Sequence, residues 1–445
     1  MKILVIGSGG REHAILWALR QTSRRELDLY CAPGNAGIEK LGRRVAIDAS
    51  DISALVQFAR TEPIDLTFVG PEGPLAAGIV DQFEARGLAI AGPSMAAARL
   101  EASKAFAKAF MDRHGIPTAR FSIATSVSEA LEQLRSGRFG AADSAVVVKA
   151  DGLAAGKGVV VARSRVEAEQ AVQDLVSGNL VATQAANQIV IEEALQGREV
   201  SLLLFADGNN YALMPAARDH KRIGEGDTGP NTGGMGAITD PSVIDDDTLA
   251  LVVREIVEPT LAGARTEGFP FRGILFIGLM LSKRGPQVLE YNVRFGDPET
   301  QAILVRLQSD LSEIFAAIAQ GTLAGINVDW RAGSSACVVL ASRGYPGKHE
   351  TGAKISGLDL SGGKKNVEIF HAGTTLSTSG EWLTTGGRVL GITATDSVLV
   401  EALNRCYQAI EGIHWEGMQH RRDIGRFVET LGAIPSGGTL AKGHG

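Results

Sequence analysis

The segment VLEYNVRFGDPETQ concentrates residue types that hold metal ions and anions. If its first part is a β-strand, Glu290 and Asn292 project from the same face, because side chains alternate along a strand. Two oxygen ligands on one face suit Mg²⁺ when water and substrate phosphates complete its coordination. Arg294 continues that face with a planar anion-binding fork. The alternative, a solvated face of an antiparallel strand, leaves the following FGDPET without a role.

A second candidate feature is the glycine-rich DGLAAGKG, residues 151–158, which joins the predicted strands SAVVVKA and GVVVA. It is one residue short of a P-loop, and Gly158 stands where a Ser or Thr must hold the metal. We therefore predict a hairpin loop that folds over phosphates as a flap. Lys149 precedes the loop in an apolar strand, where burying an unpaired ammonium is costly. A phosphate partner is favoured over a solvent-facing edge lysine.

The segment GSGGREH, from Gly7 to His13, follows the apolar run KILVI and resembles a nucleotide-binding turn. The third glycine of GxGxxG is replaced by Glu12, and the second strand leads into APGN rather than a ribose-binding acid. NAD is therefore disfavoured. A plain strand–helix turn is one alternative, and a single phosphate on the free N–H groups of Gly9 and Gly10 is the other.

The loop RDHKRIGEGDTGPNTGGMGAITDP is long, polar and glycine-rich, as functional loops are. Its His220 is either a general base or an ordinary hydrogen-bonding residue, and no nucleophile triad, GxSxG or HExxH accompanies it. Glu192 and Glu193 end a predicted strand, either as solvated acids or as a nucleotide hinge. Together these residues indicate phosphoryl transfer to a small anionic acceptor, with Mg²⁺ and lysines neutralising charge.

The elements that position these residues alternate along the first hundred residues, where apolar strands and amphipathic helices indicate a doubly wound parallel sheet. The loops GSGGREH, APGNAG, GPEGPL and GPS then meet at one edge. Further along, the pattern predicts hairpins and longer helices, including one helix over EASKAFAKAFMDRHGIP. After about Gly325 a β-rich module begins.

Composition limits the function classes. The chain has 445 residues, 44% of them hydrophobic, and a net charge of −6 without a basic run. Nucleic acid and anionic membranes are poor partners for such a chain. Three distant cysteines and the absence of a signal or membrane-length segment predict a soluble cytoplasmic protein with reduced thiols.

Six motifs identify a resemblance: VIGSGGREHA, APGNAG, VGPEGPL, KADGLAAGKGV, DHKR followed by DTGPNTGGMGA, and NVRFGDPETQ. In this order they resemble the glycinamide ribonucleotide synthetase family of the ATP-grasp superfamily, from Met1 to about Phe427. The resemblance implies a ligase that forms a C–N bond. ATP would phosphorylate glycine, and 5-phosphoribosylamine would attack the glycyl phosphate, giving glycinamide ribonucleotide, ADP and phosphate in purine synthesis.

The resemblance also implies an α/β fold with an N-terminal doubly wound parallel-sheet (pre-ATP-grasp) domain, a two-lobed ATP-grasp region of α+β type and a small C-terminal β-rich domain. We place these at 1–102, 103–325 (with 120–191 as the flap-bearing lobe) and 326–428. The tail 429–445 has little to bury and is expected to be disordered. A monomer is expected.

Carried over by motif, the resemblance implies roles for individual residues. ATP would be bound by Lys104, Lys149, Ala154, Gly156, Lys157, Gly158, Glu192, Glu193, Ala194 and Glu199, with adenine at 192–194 and ribose at Glu199. Mg²⁺ or Mn²⁺ would be bound by Glu290 and Asn292. Catalytic positioning would fall to Asp219, Lys221, Arg294 and Asp297. The substrate 5-phosphoribosylamine would be bound by Gly9, Gly10, Asn35, Gly37, Pro71 and Glu72.

Three rival functions remain to be separated from this one. A carboxylase-like sister enzyme would share the lysines, flap and metal pair but is not expected to carry DTGPNTGGMGA. An NAD-dependent dehydrogenase is disfavoured by Glu12. A non-catalytic nucleotide-binding module has no need for the face of Glu290, Asn292 and Arg294.

Overall fold

The apolar runs at the start of the chain form a parallel sheet. The computed structural model describes residues 1–153, 158–177, 188–358 and 366–426. The first strands are β1 (Lys2–Gly7), β2 (Asp28–Pro33), β3 (Arg43–Arg44), β4 (Leu66–Val69) and β5 (Ile90–Ala91). Their order is β3-β2-β1-β4-β5, and every pairing is parallel. The predicted doubly wound sheet is confirmed.

Helices connect these strands and cover the sheet. They are α1 (Gly10–Thr22), α2 (Ile52–Thr61), α3 (Glu72–Ala76), α4 (Ile79–Glu84) and α5 (Met95–Ala102). Strand order reverses beside β1, so the loops after β1 and β4 flank the crevice in which such sheets bind ligands. The loops GSGG and GPEG therefore lie side by side, as the sequence predicts.

The helix predicted over residues 101–117 is divided in two. After α5, Ser103 adopts an extended conformation, and its Oγ accepts a hydrogen bond from the Phe106 N–H. A new helix, α6 (Lys104–Arg113), begins there. The prediction of one helix is wrong because Ser103 caps the N-terminus of a new helix and so ends the preceding one, although the apolar periodicity continues across it.

A small antiparallel sheet carries the glycine-rich loop. Its strands are β6 (Phe121–Ala124), β7 (Val146–Ala150), β8 (Val159–Ala162) and β9 (Ile189–Glu193), in the order β6-β9-β7-β8. Helices α7 (Val127–Arg135) and α8 (Arg165–Val176) pack on it and share a separate apolar core. The predicted hairpin of β7 and β8 is confirmed, with β8 at the edge of the sheet.

A long antiparallel sheet forms the rest of the molecule. Its strands are β10 (Arg198–Asp207), β11 (Tyr211–Leu213), β12 (Ala217–Asp219), β15 (Gly236–Thr239), β16 (Arg272–Ser282), β17 (Gly285–Asn292), β18 (Ser334–Ala341), β19 (Val367–His371) and β22 (Arg388–Asp396). The order is β17-β16-β10-β12-β15-β18-β22-β19, with β11 paired to β10. Two hairpins project from it, β13 (Arg222–Gly224) with β14 (Thr228–Asn231) and β20 (Thr374–Leu376) with β21 (Trp382–Thr384). The C-terminal strands thus extend the central sheet, a continuity that the sequence does not reveal.

Further helices cover this sheet. They are α9 (Asp246–Val252), a π-helical turn (Val253–Val257), α10 (Glu258–Thr266), α11 (Glu299–Leu304), α12 (Leu311–Gln320) and α13 (Leu399–Ile410), with 3₁₀ turns at Ala36–Lys40, Pro241–Val243 and Leu323–Gly325. Among the described residues, no helix combines the length and apolar character needed to cross a membrane. Cys31, Cys337 and Cys406 are buried free thiols, as predicted. The predicted disordered tail lies outside the described residues.

The first helix is joined to the C-terminal strands through two buried histidines. The backbone N–H of His371 in β19 donates to Nδ1 of His13 in α1 over 2.8 Å, and their rings lie 5.5 Å apart. The Asn35 amide donates to the carbonyls of Ser8 and His371, so it bridges the same two parts. Burial, together with the neighbouring His371, lowers the pKa of His13 to about 3.

The histidine contact predicts a specific acid sensitivity. Because the folded state holds His13 neutral while the unfolded chain protonates it near its ordinary pKa, stability is lost as pH falls below about 6.5. The substitution His13→Asn keeps an acceptor for the His371 N–H but does not titrate. Between pH 7 and pH 5, the free energy of unfolding should fall by about 2 kcal/mol more in the parent than in His13→Asn, as measured by urea denaturation. The exposed His349→Asn is the control, and an equal pH dependence in all three proteins contradicts the prediction.

Candidate active site

One cavity brings most of the predicted site residues together. It measures about 530 Å³ and is lined by the N-terminal loops, α6, the flap-bearing sheet and the large sheet. The predicted residues in its wall are Pro71, Glu72, Lys104, Lys149, Gly158, Glu192, Asp219, Lys221, Glu290, Asn292, Arg294 and Asp297. Residues nearly 230 positions apart therefore form one polar chamber.

The strand β17 presents its polar face to this cavity. Glu290 and Asn292 line it, whereas the intervening Tyr291 is 2% exposed and donates to or accepts from Thr260 in the core. Val293 is also buried. The alternation predicted from the sequence is confirmed. Burial works to raise the pKa of Glu290, but Lys221, Lys149 and Lys104 together lower it below its ordinary value, so its carboxylate is ionised and available to a cation.

Two lysines approach the cavity from different elements. Lys104, the first residue of α6, donates from Nζ to the Gly152 carbonyl at 2.7 Å, next to the flap. Lys149 in β7 places its Nζ 2.8 Å from Glu192 Oε1 and donates to the Leu289 carbonyl. The lysine is therefore buried and paired, as the costly burial of a free ammonium requires. The predicted solvent-facing alternative is excluded.

The end of β12 and the loop after it contribute two charged residues, Asp219 and Lys221. Lys221 Nζ lies 3.0 Å from Glu199 Oε2, and this carboxylate is the main reason that the Lys221 pKa is raised well above its ordinary value. Burial raises the pKa of Asp219 to about 6 and that of Glu299 to about 7. Asp219 and Glu299 line the same cavity, and the like charge of Asp219 adds to the raised pKa of Glu299. Glu199 thus acts on the cavity through Lys221 rather than lining it.

Arg294 is clamped between carboxylates from the N-terminal part. Its Nε lies 3.2 Å from Glu72 Oε2, and its Nη2 lies 2.9 Å from Glu101 Oε1 and 3.2 Å from Asn292 Oδ1. The side chain is therefore fixed in orientation at the boundary between the parallel sheet and β17. Its Nη1 donates to the Phe295 carbonyl at 3.2 Å, so all three guanidinium nitrogens have protein partners.

Asp297 is tied to the C-terminal strands. Arg388 in β22 places Nη2 3.2 Å from Asp297 Oδ2 and donates from Nη1 to the Asp297 carbonyl at 2.7 Å. The Gln301 amide donates to Asp297 Oδ1 at 2.8 Å. Arg388 also lines the cavity, so the C-terminal part contributes a cation to the site.

The first glycine-rich turn differs from its prediction at Gly9. The Gly9 N–H donates to Glu12 Oε2 at 2.6 Å, so it is not free as the sequence reading assumed. Glu12 is 2% exposed, pairs with Arg11 and packs so closely that a side chain at Gly70 would collide with its carboxylate. The Gly9 N–H that a dinucleotide's phosphate would use is satisfied by the Glu12 carboxylate, which further disfavours the NAD interpretation.

Several other predicted residues lie outside the cavity wall. Asn35 caps the turn that follows it, accepting from the Gly37 N–H, and a side chain at Gly37 would collide with His371. The Glu193 carboxylate pairs with Arg120 and Arg284 instead of turning inward. Gly9, Gly10, Asn35, Gly37, Glu193, Ala194 and Glu199 are absent from the lining, and Ala154, Gly156 and Lys157 lie outside the described residues.

Of the two alternatives for His220, the structure favours an ordinary hydrogen-bonding residue over a general base. It is 1% exposed, and its Nε2 accepts from the Gly425 N–H at 2.9 Å. Burial lowers its pKa to about 4. It holds the glycine-rich loop against the C-terminal segment and does not line the cavity.

The sequence reading missed five charged residues of the wall: Arg11, Glu101, Lys108, Glu299 and Arg388. Three of them carried a usable signal. Arg11 and Glu299 stand inside quoted motifs, and Lys108 is one helical turn after Lys104. Glu101 and Arg388 had none, since neither falls in a segment whose pattern points to a site.

The chain matches a model of an ATP-grasp domain over residues 102–300, which places it in the class of ATP-grasp ligases. The architecture is shared with the biotin carboxylase domain of a 2-oxoglutarate carboxylase from Hydrogenobacter thermophilus, at a TM-score of 0.71 over 94% of this chain and 91% of that one. Identity is 16%, so this likeness concerns the fold alone. The match extends from the parallel sheet to the C-terminal strands.

The family follows from matches along the whole chain. Models for phosphoribosylglycinamide synthetase match as the N domain over residues 1–101, the ATP-grasp (A) domain over 102–300 and the C domain over 335–427. The chain belongs to this family. Phosphoribosylamine–glycine ligases from Xylella fastidiosa and Escherichia coli K12 are 48% and 47% identical over 96% of this chain, covering 97% and 98% of theirs. The crystal structure of the Thermotoga maritima enzyme matches at a TM-score of 0.83 and 35% identity, over 95% of this chain and 100% of that one.

The clamp on Arg294 predicts a large cost for its removal. The substitution Arg294→Met leaves the buried Glu101 carboxylate and the partly exposed Glu72 carboxylate without their counter-charge, and the free energy of unfolding should fall by about 3 kcal/mol in urea denaturation. Arg254→Met, which removes an exposed ion pair with Glu255, should change it by less than about 0.5 kcal/mol. Similar losses in the two variants would show that the clamp is energetically unimportant.

Proposed function

We propose that this protein ligates glycine to 5-phosphoribosylamine at the expense of ATP, through glycyl phosphate. The products are glycinamide ribonucleotide, ADP and phosphate, in the second step of purine synthesis. The observation that carries the proposal is one cavity in which Lys104, Lys149 and Lys221 surround the ionised Glu290. Such a set of charges suits a polyphosphate with its metal ion.

A divalent cation fits the donor set of β17. Glu290 offers a carboxylate and Asn292 an amide oxygen on one face, and hard cations such as Mg²⁺ take exactly these ligands alongside substrate phosphates. We assign Glu290 and Asn292 to Mg²⁺ or Mn²⁺. When bound, the ion supplies charge neutralisation on the phosphates.

The proposed chemistry needs alignment rather than a protein nucleophile. A carboxylate oxygen of glycine attacks the γ-phosphorus of ATP and ADP leaves. The amine nitrogen of phosphoribosylamine then attacks the glycyl carbon, the bond to the phosphate oxygen breaks, and the nitrogen loses a proton. The protein's task is to hold the reacting groups in line and to exclude water.

The wall residues divide between the substrates by charge. We assign Lys104, Lys149 and the flap, residues 154–158, to the phosphates of ATP, residues 192–194 to adenine, and Glu199 to ribose. Asp219 suits the glycine ammonium, whereas Lys221, Arg294 and Asp297 orient the reacting carboxylate and the ribosyl phosphate. The loops at Gly9–Gly10, Asn35–Gly37 and Pro71–Glu72 remain our proposed phosphoribosylamine site.

The remaining assignments follow from the proposed pathway and the composition. We infer that the protein works as a cytoplasmic monomer on small-molecule substrates. A net charge of −6 without a basic run gives no attraction to nucleic acid or anionic membrane. The division into units at 102/103 and 325/326 is likewise proposed.

The ligase proposal predicts that ADP release depends on both acceptor substrates. With ATP and Mg²⁺, the purified protein should release ADP at a substantial rate only when glycine and 5-phosphoribosylamine are present, because only then is the acyl phosphate formed and consumed. A coupled assay for ADP measures this. An ADP rate that ignores glycine contradicts the proposal.

The metal assignment predicts that Glu290→Ala lowers kcat/KM by at least about 100-fold, because a charged oxygen ligand is lost beside the phosphates. The same steady-state assay, at saturating Mg²⁺, measures it. Glu132→Ala on the exposed surface of α7 is the control and should leave the rate unchanged. If Glu290→Ala is nearly as active as the control, Glu290 is not a ligand of the metal ion.

A further inference from the structure

A buried carboxylate between two lysines lies at the back of the cavity. Glu192 at the end of β9 is 2% exposed. Its Oε1 lies 2.8 Å from Lys149 Nζ and its Oε2 lies 3.0 Å from Lys108 Nζ. One carboxylate thus balances two ammonium groups, each on a different element.

The two lysines differ in how firmly they are held. Lys108 Nζ donates to Thr118 Oγ1 at 2.7 Å, and Thr118 Oγ1 donates in turn to the Val288 carbonyl at 2.6 Å. Its side chain is therefore fixed between α6 and the start of β17. Besides Glu192, Lys149 Nζ has one further partner in the described structure, the Leu289 carbonyl at 3.2 Å, and Leu289 directly precedes Glu290. Lys149 is the lysine closer to the metal face.

Phosphates that enter the cavity compete with Glu192 for Lys149. If Lys149 turns to them, the Glu192 carboxylate stays buried and needs a remaining counter-charge, since an unpaired buried charge is strongly unfavourable. Lys108 is in place to supply it, because Thr118 holds its ammonium beside Glu192. Burial lowers the pKa of Lys108 to about 8, while Glu192 opposes that effect and keeps the ammonium charged near neutral pH.

We propose that Lys108 is a positioning residue for ATP, which holds the Glu192 carboxylate when Lys149 leaves it for the phosphates. The inference rests on the proposed use of ATP. Without Lys108, Lys149 becomes the only counter-ion of Glu192 and is retained there. The cost should then fall on phosphate binding and leave the binding of the nucleoside alone unchanged.

The test compares ligands with and without phosphates. Lys108→Met should weaken the binding of a non-hydrolysable ATP analogue with Mg²⁺ about tenfold and raise the KM for ATP similarly, while adenosine affinity and the KM for glycine stay within about twofold of the parent. Lys108→Arg, which keeps the charge, should restore analogue binding. Isothermal titration and steady-state kinetics measure these quantities. Equal losses for the analogue and adenosine indicate a merely structural role and overturn the proposal, as does unchanged analogue binding.

A double-mutant cycle tests the link to Glu192. In a Glu192→Gln background no carboxylate charge remains to retain Lys149, so adding Lys108→Met should have little further effect on analogue binding. Additive effects contradict the proposal. If Lys108→Met does not fold, Thr118→Val loosens the same ammonium and should raise the KM for ATP by a smaller factor, and no rise overturns the proposal.

The two proposals fail separately. A wild-type protein that binds the analogue but releases no glycine-dependent ADP refutes the ligase function, and the titrations still decide the role of Lys108. If the wild-type protein has full ligase activity and Lys108→Met leaves analogue binding and the KM for ATP unchanged, the positioning role alone is refuted.

Discussion

Burial of charge is the constraint on which this cavity depends. A carboxylate or an ammonium removed from water is tolerated only with an opposite charge beside it. The wall meets this requirement with ion pairs that each join different parts of the chain, namely Lys108 and Lys149 with Glu192, Arg294 with Glu72 and Glu101, and Arg388 with Asp297. The pair of Lys221 and Glu199 is nearly half exposed and is not under this constraint. The same contacts that assemble the chamber therefore set its electrostatic character.

Such a wall is prepared for charged ligands. Five of the cations that line the cavity, Lys108, Lys149, Lys221, Arg294 and Arg388, already have a protein carboxylate as partner, whereas Lys104 donates to the Gly152 carbonyl. At such a paired cation an incoming phosphate exchanges one anion for another and does not have to create a new charge balance. The exchange is least costly where the carboxylate keeps a second partner, as Glu192 does. Family membership agrees with this arrangement, because acyl phosphate chemistry demands the alignment of several anions in a space closed to water.

The sequence predicts local features of this site well and remote ones poorly. Glu290 and Asn292 could be placed on one face because alternation along a strand is a local rule. The roles of Asn35 and Gly9 could not be foreseen, because each depends on a partner set by the folded chain: His371, 336 residues away, and the inward rotamer of Glu12. The same holds for Arg388, which reaches Asp297 only because β22 joins the central sheet.

That shared sheet has a consequence for how the protein is made. The strands β18, β22 and β19 cover the edge that β15 would otherwise expose, and Arg388 arrives with them. As the ribosome releases the chain, the parallel sheet and the flap-bearing lobe are complete long before this edge is closed. The nascent enzyme therefore carries an open sheet edge and an unfinished reaction chamber until its last strands emerge. An open edge of this kind is where an unfinished chain can pair with another chain and aggregate.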